Sequence, residues 1–233
     1  MNFDRLREHG LTLIVAFGDS VIYGAVGPDE ISYETVYWNR LRRKISALRN
    51  DVPVNAIHAG SGGVTAAASL ARMERDVFSH HPDLVIVCFG LNDVNGPLGE
   101  YTDALAAIFD ACRQRGVAAI FMTPNMLNTY VTEDTPAELR DYAAKTAAMQ
   151  NDGTMDTHMQ AACRTAREHG IPVCDGYALR KQRSRTEDAT RLLANGISHP
   201  RAELHELFAQ ELFRMLFPES TPETSGESTR WRA

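Results

Sequence analysis

The sequence predicts an α/β fold built on a parallel sheet with helices covering both faces. Two observations carry this. Short apolar runs alternate along the chain with helix-length amphipathic segments, the pattern of successive βα units. The runs are apolar throughout instead of alternating with polar residues, as strands buried on both faces are. With 233 residues, 44% of them hydrophobic, the chain can bury a full core. No change of composition divides it, so a single domain is expected over residues 1–217.

The first strand is read at residues 11–17. Its sequence LTLIVAFGDSVIYG breaks into Gly-Asp-Ser, which puts Ser20 just past the strand's carboxyl end with a polar loop to follow. Further strands are expected at 52–57, 84–89, 117–122 and 172–174. After the first strand, Ser32 caps a helix in which Tyr37, Leu41, Ile45 and Leu48 form one apolar stripe. Helices are also expected over 66–78, 101–115 and 154–169. A last helix starts at Pro200, because proline is favoured at the first helical position, and turns Leu204, Phe208, Leu212 and Met215 inward. Residues 218–233, rich in Ser, Thr, Glu and Pro, read as a disordered tail.

Several function classes are excluded at this level. A net charge of −6 without a basic run argues against nucleic acid, which demands a clustered positive surface. No apolar stretch is long enough for a membrane span. The N-terminal MNFDRLREHG lacks the apolar core of a secretory signal, so a cytoplasmic location is expected. Cys88, Cys112, Cys163 and Cys174 lie far apart and read as reduced, structural residues. His58, His80 and His81 lack metal-ligand spacing, and His158 and His169 are expected on a helix surface. GSGGVTA is not a dinucleotide loop by position, since that fingerprint belongs on the first strand of a βαβ unit.

The remaining polar segments converge on Ser20. The second strand ends in HAGSGGVTA, from His58, and the third in FGLND, from Phe89. In the flavodoxin-like order 2-1-3-4-5 these strands flank the first, so both ends approach Ser20. The expected architecture is therefore three-layer α/β/α with a five-stranded parallel sheet. A glycine-rich turn exposes backbone N–H groups and an asparagine offers an amide; with the Ser20 N–H these are the parts of an oxyanion hole. His199, in Ser-His-Pro, is the candidate general base, expected as the N-cap of the last helix with a pKa lowered by the helix dipole. Residues 123–135 follow strand four on the same edge. There Met126, Leu127 and Tyr130 either wall a pocket or simply cover the sheet, and the alanine-rich segment 137–149 is a candidate lid or cap. Asp19 and Asp93 read as acceptors that fix their loops.

In these blocks the chain resembles the SGNH, or GDSL, hydrolase family. FGDSVIYG is similar to the first block, which implies Ser20 as nucleophile and oxyanion donor. AGSGGVT is similar to the second, which implies Gly63 as a donor; Gly62 stands where serine is usual, and Gly60 and Gly62 are alternatives if the loop is shifted. GLND matches the third and implies Asn92 as the side-chain donor, while SHP matches the histidine block at His199. The family usually carries an aspartate three residues before that histidine, where this chain has Gly196, with Asn195 one place further away. Either the enzyme is a dyad or another group orients His199: a backbone carbonyl near Gly196 or Asn195, or the carboxylates Asp175 and Asp188.

The resemblance implies a serine esterase acting on a small-molecule, short-acyl carboxylic ester through an acyl-enzyme, with neither metal nor cofactor. A carbohydrate O-deacetylase or an acyltransferase would use the same residues. A non-catalytic binding domain would be expected if the missing acidic residue abolished activity. Oligomeric state is left open.

Overall fold

A computed structural model describes residues 3–25 and 30–220. Five parallel strands form one sheet in the order β2-β1-β3-β4-β5: β1 Leu13–Gly18, β2 Asn55–Gly60, β3 Leu84–Cys88, β4 Ala118–Met122 and β5 Val173–Cys174. The helices are α1 Asp4–His9, α2 Ser20–Tyr23, α3 Tyr37–Leu48, α4 Ala66–Ser69, α5 Met73–Asp76, α6 Leu98–Gln114, α7 Arg140–Asn151, α8 Thr154–Glu168, α9 Gly176–Arg183 and α10 Ala202–Leu216. α3 and α10 pack together on one side of the sheet, and α4, α6 and α8 form the opposing group. The sheet is of the expected order, and β1 and β3 are buried along almost their whole length, as their unbroken apolar sequences require.

The boundaries differ where tertiary contacts outweigh local pattern. β2 lies three residues later than read, because its register is set by β1, which pairs Leu13 with Asn55 and Gly18 with Gly60. Val52 is left exposed and Pro53 has no N–H to give the ladder. Ser32 does not cap α3, which begins at Tyr37 after Val36; the Ser32 hydroxyl accepts from Thr35 instead. Leu48 is exposed and Leu216, not Met215, completes the buried face of α10. The helix expected over 66–78 is two short α-helices separated by a 3-10 turn at Leu70–Arg72. α9 is an element the sequence reading passed over, although Asp175 caps it by accepting the Ala178 N–H at 3.0 Å.

Other expectations resolve in the core. Met126 and Leu127 are buried members of it, so they cover the sheet. α7 is docked, not free-standing: Thr146 donates to Asn128 Oδ1 at 2.6 Å, and Gln150 Oε1 accepts the Leu127 N–H at 3.0 Å. His158 is buried rather than superficial, stacked on Tyr101, because its face of α8 packs against α6. His169 Nδ1 lies 2.9 Å from Asp110. All four cysteines are free and buried. Pro218–Ser220 form a 3-10 turn, and the rest of the expected tail, 221–233, lies outside the described residues.

Candidate active site

Ser20 is the first residue of α2, a single helical turn where a loop was expected. Asp19 caps it, accepting the Val21 N–H at 3.0 Å, and Gly24 ends it at φ 81°. The turn sits hard against its neighbours. A Cβ on Gly18 would lie 2.0 Å from the Cys88 carbonyl oxygen, and one on Gly60 would lie 2.5 Å from the Tyr23 nitrogen. Only glycine allows both approaches, so Gly60 serves packing.

His199 Nε2 lies 3.1 Å from Ser20 Oγ. The histidine does not cap the last helix. Pro200 bridges to Leu193, α10 starts at Ala202 after Arg201, and His199 sits in the preceding loop. Its pKa is lowered by burial, not by a helix dipole, and the neutral imidazole is thereby favoured. Asn195 holds this loop: its Oδ1 accepts the backbone N–H groups of Ile197, Ser198 and His199 at 3.0, 2.9 and 2.9 Å. That oxygen faces the backbone, so Asn195 orients the residue without touching its ring. Asn125 donates to the Ser198 carbonyl at 2.8 Å, and the Asn128 N–H donates to the Ile197 carbonyl at 2.9 Å.

No group of the expected kind meets the other ring nitrogen. Among the described residues His199 Nδ1 is buried without a hydrogen-bond partner, so the anticipated carbonyl near Gly196 is not on it. Asp175 binds Thr123 and caps α9. Asp188 accepts from Tyr130 and from the Thr190 N–H.

Asn92 follows β3 and ties its end to the neighbouring loop, donating one amide hydrogen to the Val64 carbonyl at 3.1 Å; the carboxamide has a second N–H to offer. Gly63 is exposed at φ 72°, a conformation that favours glycine, and apart from its own chain neighbours no atom lies within 4 Å of the position of a Cβ there. Gly62 is likewise exposed with open space around it. Asp93 accepts the Ala66 N–H at 2.8 Å. Both loop-fixing carboxyls are buried, and burial raises Asp19 to about 7 and Asp93 to about 6.

Three contributors escaped the sequence reading. Asn125 and Asn128 sit in a segment read for its apolar residues; asparagines recurring at 125 and 128 in a buried loop were the available signal. Arg72, within the helix expected over 66–78, gave none.

The fold and these loops define the class first: a flavodoxin-like three-layer sheet with a Ser–His pair and glycine and asparagine turns at its carboxyl edge is the SGNH hydrolase arrangement. Residues 16–207 match the model of the GDSL-like lipase/acylhydrolase family. The chain belongs to that family and is a carboxylic ester hydrolase.

Similar solved structures include an acetylxylan esterase from Geobacillus stearothermophilus, 22% identical with a TM-score of 0.68 over 88% of this chain and 94% of that one. A lipase/acylhydrolase from Enterococcus faecalis is 22% identical with a TM-score of 0.67, over 92% and 100%. A lipolytic protein of the G-D-S-L family from Desulfitobacterium hafniense, described as putative, is 21% identical with a TM-score of 0.65, over 88% and 99%. At these identities the likeness is one of fold. No curated protein matches the chain.

Proposed function

We propose that the chain cleaves short-acyl carboxylic esters with Ser20 as nucleophile and His199 as general base. The observation that carries this is the 3.1 Å separation of Ser20 Oγ and His199 Nε2. Neutral His199 accepts the Ser20 proton at Nε2 while Oγ attacks the ester carbonyl carbon, and the carbonyl π pair moves onto its oxygen. The Ser20 and Gly63 N–H groups and the Asn92 amide bind that oxyanion. Collapse of the tetrahedral intermediate breaks the bond to the alcohol oxygen, which takes the proton from His199 Nε2. Water then repeats the sequence on the acyl-enzyme, releasing the acid and restoring Ser20. Among the described residues no carboxylate meets His199 Nδ1, so the pair works as a dyad.

A carbohydrate O-deacetylase is a second reading, favoured by the acetylxylan esterases among the similar structures. Burial of Met126 and Leu127 in the core removes two residues that would have served a long acyl chain, which supports the preference for short ones. A fluorophosphonate probe tests the mechanism: it should add once, at Ser20, and Ser20→Ala should neither label nor hydrolyse a chromogenic acetate ester. Labelling elsewhere refutes the assignment. Relative kcat/KM for acetyl and octanoyl esters, and for acetylated xylooligosaccharides, tests the acyl and alcohol preferences.

A further inference from the structure

We propose that Arg72 is a positioning residue for the reaction, locking the carboxyl ends of β1 and β2 at one spacing so that the Ser20 turn and the Gly63 loop stay in register. This rests on reading Ser20 as nucleophile and Gly63 as an oxyanion donor.

The argument starts from where the guanidinium goes. Arg72 Nη1 donates to the Ala59 carbonyl at 2.6 Å, and Nη2 donates to the Gly18 carbonyl at 2.9 Å. These oxygens lie at the ends of adjacent strands, where the ladder that pairs Phe17 with Ala59 and Gly18 with Gly60 stops. Past that point the chains diverge, one into Asp19 and Ser20, the other into the 60–65 loop. Apart from Arg72, the Ser61 N–H reaches the Gly18 carbonyl at 3.2 Å. Nη2 also reaches Ser69 Oγ at 3.2 Å and Nη1 reaches Asp76 Oδ2 at 3.3 Å, so four Nη hydrogens have four acceptors. The guanidinium lies 4.5 Å over the Phe17 ring, which fixes its plane.

An arginine serving only as a surface ion-pair partner would sit closest to its carboxylate. Here the order is reversed: both carbonyls are nearer than Asp76, which is held more closely by Arg75, at 2.5 Å. The Arg72 side chain is 14% exposed, so its bonds are largely shielded from water. The planar fork is what the task requires. Two carbonyls on two strands call for two donors in a fixed relation, which a lysine ammonium on a flexible stem does not supply. The path to the chemistry is short: Ser20 lies two residues beyond Gly18 and Gly63 four beyond Ala59. The backbones of Gly60 and Tyr23 touch, so movement of one strand end shifts the other.

The test uses Arg72→Met and Arg72→Lys in the full chain, with active sites titrated by a fluorophosphonate and a chromogenic acetate ester as substrate. A misplacement of about 1 Å costs about 10²-fold. Arg72→Met should therefore lower kcat per titrated site by about 10- to 100-fold, with KM within about threefold and phosphonylation slowed in parallel. Arg72→Lys should fall between it and the parent. The acid limb of kcat/KM should not move, because nothing around His199 changes.

A purely structural arginine would lower the unfolding temperature and leave kcat per titrated site at the parent value, and that result overturns the proposal. Should Arg72→Met not fold, Arg72→Lys decides it: parent kcat in that variant overturns the need for the fork. A parent enzyme that does not label at Ser20 instead overturns the reading on which the proposal stands, so the two failures are distinct.

Discussion

Asn195→Ala is the most informative perturbation of the histidine loop. One oxygen, Asn195 Oδ1, accepts three backbone N–H groups at 2.9 to 3.0 Å, the last of them belonging to His199 itself. Alanine removes the acceptor of all three bonds. At about 0.5–1.5 kcal/mol net for each bond, the loop loses about 1.5–4.5 kcal/mol, and since these groups are part-buried, water recovers some of it. A residual of about 1.5–3 kcal/mol is about a 10- to 100-fold loss of the loop conformation that sets the 3.1 Å contact between His199 and Ser20. Asn195→Ala should therefore lower kcat/KM for a chromogenic ester by that factor. Asn195→Asp, which keeps an acceptor in the same place, should stay within about threefold of the parent. Parent activity in the alanine variant, at parent unfolding temperature, would refute the loop-fixing role. A hundredfold gain in the aspartate variant would refute the geometry, since it would mean that the side chain meets the imidazole Nδ1.

Three further outcomes follow from the site. Asn92→Ala should lower kcat by about 10²- to 10³-fold with little change in KM, because the donor acts where charge develops; a change confined to KM would reduce Asn92 to substrate binding. The burial that lowers the His199 pKa below 6.5 keeps the base neutral in mildly acidic solution, so the acid limb of kcat/KM should have its midpoint below that value. A midpoint at or above it contradicts the assignment. Asp19 is raised from 3.8 to about 7, so its folded form binds the proton more tightly, and the stability it contributes is fully present below 3.8 and is lost as pH rises from there through about 7. Asn in its place still accepts the Val21 N–H, so the unfolding temperature of Asp19→Asn relative to the parent should rise between pH 4 and pH 8; a constant difference would show that the fold does not raise the Asp19 pKa.

The sequence by itself determined the sheet, its order, and the four turns that meet at its carboxyl edge. Buried parallel strands must be apolar throughout, and tight backbone approaches at Gly18 and Gly60 admit only glycine, so both leave marks on the linear chain. Ser20, Gly63, Asn92 and His199 could be singled out as candidates because each stands in a short block of distinctive residue types, and the structure brings Ser20 and His199 to 3.1 Å of each other. What holds those residues in place was not legible. Asn195 could be seen, but whether its oxygen faced the imidazole or the backbone depended on how residues 195–199 turn, which is set by Asn125 and Asn128 from another loop. Arg72 drew no reading from the linear chain, and the start of the last helix moved from Pro200 to Ala202 because Pro200 pairs with Leu193. Local blocks record what a residue needs from its immediate neighbours. The strand-end carbonyls that Arg72 meets, the Ser20 hydroxyl that His199 meets and the asparagines that hold the Asn195 loop come from other segments of the chain, and only the packed fold brings them within hydrogen-bonding distance.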